Sequence, residues 1–144
     1  MKTYTTIWKD TTFSVYFFGE VTLKDLIAVN DELIANQKLD SVTHYYLDFC
    51  NVETLNLSDN ELKSFAKYDS AMPKLLRRTH MRGAIRVPTT TMKDQWNQFL
   101  EWGHTEWPRK VFTSCILAET WVQDRVFQTA SGRVRSEVGC AAIA

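Results

Sequence analysis

The sequence predicts an α/β fold with a mostly parallel sheet of about five strands and about four helices. Three observations carry this. From Phe13 onward, β-rich runs alternate with amphipathic helical runs about four times before Gln128. A polar turn with a capping residue (Thr22, Ser58, Thr89 or Ser114) precedes each helical run. The first two β-rich runs are separated only by Lys9-Asp10-Thr11-Thr12, too short for a crossover, so they form an antiparallel edge hairpin.

Tyr4–Trp8 and Phe13–Phe18 are the hairpin strands, and Gly19 punctuates the chain after them. Thr22 and Asp25 have capping-box spacing, with Val21 and Leu26 placed as a hydrophobic staple. Leu23, Leu26, Ile27, Leu33 and Ile34 then share a helical face, with Lys24, Asp31 and Glu32 on the other. Thr43–Phe49 is aromatic and β-rich, a central strand, followed by a loop over Cys50–Leu57. Ser58 and Glu61 form a full capping box, and Leu57 with Leu62 a second staple. Leu62, Phe65, Ala66 and Met72 continue the apolar stripe until Pro73 bends or ends the helix, with a further turn over Lys74–Arg78. Gly83–Val87 is a short strand closed by Pro88; Thr89–Thr91 turn into a helix filled by Trp96, Phe99, Leu100 and Trp102 and ended by Gly103. Lys110–Thr113 is the last strand, and Ser114 caps a helix whose inner face is Ala118, Trp121, Val122 and Val126.

The 144 residues fit one domain over 1–128, with a small, polar, aperiodic tail over 129–144 that is expected to be flexible. With 44% apolar residues the chain can bury a substantial core. Lys+Arg and Asp+Glu are both 17, and this zero balance speaks against a nucleic-acid binder and an electrostatic membrane anchor. MKTYTTIWKDTTF lacks an apolar leader, and no run reaches the ~18 apolar residues of a membrane span. Cys50, Cys115 and Cys140 show neither a CxxC nor a disulfide framework; the expectation is a cytoplasmic protein with Cys50 and Cys115 as small buried hydrophobes.

Three segments, FFGEVTLKDL, YYLDFCNVETLNLS and KVFTSCILAETWV, in the order ββαβαβαβα, resemble the SpoIIAA-like group of small bacterial proteins, the STAS and SEC14-like domains. The resemblance spans roughly residues 3–128. In the anti-sigma-antagonist branch it implies a serine phosphorylated at the start of the second helix, in an Asp-Ser-Ser-Gly-like context. Ser58 in LNLSDNEL occupies a similar place, without the second serine or the glycine. The SEC14-like branch implies small apolar or lipid-like ligands.

Ser58 is therefore a candidate phosphoacceptor or anion contact, where free N–H groups and the helix dipole favour negative charge. The capping box with Glu61 explains the residue completely as an ordinary N-cap, and Asp59 and Glu61 would repel an added phosphate. Asp48, Asn51, Thr89, Thr90 and Ser114 are expected near the C-terminal edge of the sheet, where α/β folds bind ligands; turn and cap hydrogen bonds are the plainer explanation. Trp96, Phe99 and Trp102 are candidate walls of an apolar ligand pocket, with one or two of the tryptophans exposed. Arg77, Arg78, His80, Arg82 and Arg86 form a basic cluster, read as a solvated face. No zinc spacing, P-loop, G-x-G-x-x-G or G-x-S-x-G is present, so no cofactor or metal is expected. The expectation is a non-enzymatic regulatory or protein-interaction module, homodimeric or bound to a protein partner. The alternative is a carrier or sensor of a small apolar or lipid-like ligand; an enzyme with an unrecognised site comes third.

Overall fold

The computed structural model describes residues 2–76, 81–103 and 107–122. Strands β1 (Tyr4–Lys9), β2 (Thr12–Thr22), β3 (His44–Asn56), β4 (Arg82–Arg86) and β5 (Arg109–Phe112) form one sheet in that spatial order. β1 runs antiparallel to β2 and all other neighbours are parallel. Asp10, at φ 53°, closes the hairpin, a conformation that aspartate tolerates better than most residues.

Strands that follow one another across a sheet by right-handed crossovers place every crossover helix on the same face. Here these are α1 (Leu23–Ala35), α2 (Asp59–Ser70) with the short α3 (Met72–Leu75), and α4 (Thr90–Trp102). The main core lies between them and the sheet, where Phe13, Val15, Phe17, Phe49, Ile85 and Val111 meet Leu26, Phe65, Trp96 and Phe99. The opposite face carries a smaller cluster: Tyr46, Ala84 and Phe112 pack under α5, over residues 115–122, through Ala118 and Val122. Val126 and the tail over 129–144 lie outside the described residues.

The capping boxes form as expected. Thr22 N–H donates to the Asp25 carboxylate at 2.8 Å. Glu61 N–H donates to Ser58 Oγ at 3.1 Å, and Ser58 N–H to Glu61 Oε1 at 3.0 Å. α2 ends before Ala71, and Pro73 sits in the first turn of α3.

Several expectations need correction. The loop over Cys50–Leu57 is strand: β3 continues to Asn56, paired with β2 alone after Asp48. Register shifts between Tyr16 and Phe18 and between Gly19 and Glu20 break the period of two, so Phe49 and Val52 are both in the core and no alternation is visible in the sequence. Gly19 lies inside β2 at φ 68°, where glycine is the residue without steric cost. On α1 the buried face is Leu26, Val29 and Leu33; Ile34 is exposed. Gly103 ends α4 in an extended conformation rather than a left-handed one; a Cβ there would sit 3.0 Å from the Ala66 carbonyl oxygen, so its role is close approach to α2. Among the described residues the large exposed apolar side chains include no tryptophan: they are Ile7, Phe18, Ile34, Tyr68, Leu75 and Leu117. Cys115 is buried as expected, whereas Cys50 is half-buried. Among the described residues no helix is long and apolar enough to cross a membrane.

Candidate functional site

Two polar constellations sit on the two faces of the sheet, and a third feature lies at the start of α2.

On the α5 face, Asp48 is 1% exposed in mid-strand. Tyr46 Oη donates to its Oδ2 at 3.1 Å, Cys50 N–H donates to its Oδ1 at 2.8 Å, and Arg86 pairs with it at 3.5 Å. Burial pushes the Tyr46 phenol far above the ordinary tyrosine range, and Asp48 adds to this. Burial acts against the charge of Arg86, but Cys50, Asp48 and Tyr46 outweigh it and hold its pKa above the usual value. Arg82 donates from Nη1 to the Trp121 carbonyl at 2.9 Å and lies 4.6 Å from the centre of that indole. Both arginines thus hold the second face together. Arg77, Arg78 and His80 lie outside the described residues.

The remaining polar candidates are dispersed. Asn51 is exposed on β3 opposite Phe18. Thr89 caps α4 by accepting from Met92 N–H at 3.2 Å, and Thr90 is its exposed first residue. Ser114 caps α5 by accepting from Leu117 N–H at 3.2 Å.

On the helix face a cavity of about 40 Å³ lies between the sheet and α1, α2 and α4. Trp96 and Phe99 line it; Trp102 instead stacks beneath the Lys63 ammonium at 5.2 Å, at the edge of the core. Four polar residues that the sequence reading passed over also reach its wall: Asn30, Tyr45, Asp69 and Arg109. Arg109, its side chain 4% exposed, is ion-paired with Asp69. Burial raises the Tyr45 phenol well above its ordinary pKa, and Arg109 beside it offsets part of this. Burial also opposes the Arg109 charge, but Tyr45 and Asp69 outweigh it and raise its pKa. Spacing could have revealed two of these residues. Asn30 is four residues after Leu26, and Asp69 is four after Phe65, so each interrupts an apolar helical stripe. Tyr45 and Arg109 are brought in by strand order and gave no such signal.

At the start of α2, Ser58 is exposed and held in its capping box. Beside it an open groove of about 560 Å³ runs along α1, floored by Leu23, Ile27 and Ala28 and edged by Lys24, Asp31 and Glu61. Among the described residues no group of His, Cys, Asp and Glu is arranged to hold a metal ion.

No protein-family model and no curated protein matches this chain. Solved structures do. The anti-sigma factor antagonist SpoIIAA in its unphosphorylated form superposes with a TM-score of 0.50 at 12% identity, over 90% of this chain and 99% of that one. An anti-sigma factor antagonist from Mycobacterium paratuberculosis gives 0.51 at 22% identity, over 85% and 94%. An uncharacterised protein of the DUF3478 family from Shewanella loihica PV-4, described as SpoIIAA-like in fold, gives 0.51 at 15% identity, over 83% and 91%. The chain has the SpoIIAA-like fold, with its mixed five-stranded sheet.

Proposed function

We propose that this protein is a non-enzymatic regulatory module that works by binding a protein partner through the start of α2. The observation that carries this reading is the open groove beside Ser58, apolar along its floor and charged along its edges. That composition suits a polypeptide surface, which needs a desolvated centre and a polar rim. Two of the proteins sharing this fold are described as anti-sigma factor antagonists, which favours a regulatory role. The stretch of β3 beyond Asp48, unpaired with β4, adds a strand edge leading straight into Ser58. Phosphorylation of Ser58 would place a dianion beside Asp59 and Glu61 and change the charge at that end of the groove.

The test is a photo-crosslinking residue at Lys24, expressed in the protein's own host. A single cross-linked protein that is lost on Ile27→Arg and altered by Ser58→Asp supports the reading; a pattern indifferent to both substitutions rejects it. The same experiment reports self-association, since a homodimer through this groove would cross-link to itself. The protein is taken to be cytoplasmic on this reading.

A second reading, a sensor of a small ligand, is favoured by the cavity beside Trp96 and Phe99. Its volume of about 40 Å³ is far below the ~300–1,000 Å³ of ordinary ligand pockets, which disfavours a lipid cargo.

A further inference from the structure

We infer that the cavity between the sheet and helices α1, α2 and α4 is a binding site for a small uncharged molecule bearing a carbonyl-type oxygen. The inference deepens the sensor reading and is independent of the groove beside Ser58. Three features of the wall carry it.

The first is an excess of donors. Asn30 Nδ2, Trp96 Nε1 and the Nε and Nη2 of Arg109 are buried and make no hydrogen bond among the described residues. All these residues line the one cavity. Indole and guanidinium nitrogens can only donate, so rotating those side chains provides no acceptor. Buried donors without partners are costly, and several on the side chains that line one cavity call for an acceptor from outside the chain.

The second is charge. Asp69 already neutralises Arg109 on the same wall. An added carboxylate or phosphate would leave one negative charge uncompensated in an apolar interior, which is strongly unfavourable. An uncharged acceptor carries no such penalty.

The third is size and lining. About 40 Å³ holds only a few heavy atoms, given that one water needs roughly 10–15 Å³ of such space. The rest of the wall is apolar, including Phe17, Leu26, Phe65 and Met72. A carbonyl oxygen directed at the donors, with a short hydrocarbon part against those side chains, satisfies both halves.

The experiment is an NMR titration of the full chain with three probes: acetone, isobutene and acetate. Isobutene keeps acetone's shape but replaces the oxygen by a methylene, and acetate keeps the acceptor but adds a charge. The readouts are the Trp96 indole N–H, identified by its loss in Trp96→Phe, and the Arg109 Nε–H. We expect both resonances to move downfield saturably with acetone, with binding at least tenfold weaker for isobutene and acetate. Asn30→Leu, a substitution on the buried stripe of α1, should weaken acetone binding several-fold while preserving the spectrum elsewhere. Equal binding of isobutene would reduce the site to an apolar void and overturn the proposal, and acetate binding as well as acetone would overturn the charge argument. No saturable shift with acetone, with long-lived waters giving cross-peaks to the indole N–H, would also overturn it. Each of these outcomes leaves the cross-linking test of the groove unaffected.

Discussion

Gly83→Ala tests the geometry of the cavity wall. Gly83 pairs with Tyr45 across β4 and β3, and the Tyr45 ring lies over its Cα. A Cβ at position 83 would fall 2.0 Å from Tyr45 Cζ and 2.4 Å from Oη. Ordinary contact begins near 3.4 Å, so the end of the ring must retreat by about 1.4 Å. Trp107, with its ring centre 6.1 Å away, and Arg109 flank the ring, leaving the cavity as the space to move into. Overpacking of this kind costs about 1–3 kcal/mol, and disturbing the Tyr45–Arg109 contact adds about 1. Against this, alanine restricts the unfolded chain and returns about 0.4–1 kcal/mol; Gly83 is not at positive φ, so its backbone accepts alanine. The expected net loss is about 1–3.6 kcal/mol. The assay is urea unfolding, read as a lower midpoint at unchanged slope. The same substitution in a Tyr45→Ala background should cost less than about 0.5 kcal/mol, because the clashing ring is gone. A loss below about 0.5 kcal/mol in the wild-type background, or equal losses in both, would refute the reasoning.

Three further outcomes are expected. Asp69→Asn or Arg109→Met alone should cost about 3–5 kcal/mol by stranding a buried charge, whereas the double change Asp69→Leu with Arg109→Met should recover most of that loss; calorimetry of the three variants checks it. Ser58→Ala should cost about 0.5–2 kcal/mol and Ser58→Asp much less, since aspartate also caps; equal losses in chemical unfolding would show that the cap is not what Ser58 provides. Tyr45 and Tyr46 have raised pKa values in the folded protein, so the unfolded chain loses these protons first as pH rises past about 10. Their contribution is fully present below that pH and declines as pH climbs towards the folded values, so unfolding free energy should fall between about pH 9 and about pH 11, and less so in a Tyr46→Phe variant.

Local chemistry was enough to locate most elements. The capping boxes at Thr22 and Ser58, the helix break just before Pro73 and the short link around Asp10 each act over a few residues, so they are legible in sequence and reappear in the structure. Alternation of strand and helix likewise determined the mixed sheet with its antiparallel edge. The extension of β3 to Asn56 was not legible, because its bulges are set by pairing with β2 and erase the alternation that marks a strand. Nor were the polar assemblies. Asp48 with Arg86, and Arg109 with Asp69, are joined across 38 and 40 residues by strand order alone. The sequence could show that Asn30 and Asp69 interrupt apolar stripes, but not that they face one cavity with Trp96 and Arg109. Periodicity records which side of an element is buried; only the packing of three helices on one sheet decides which buried polar groups meet.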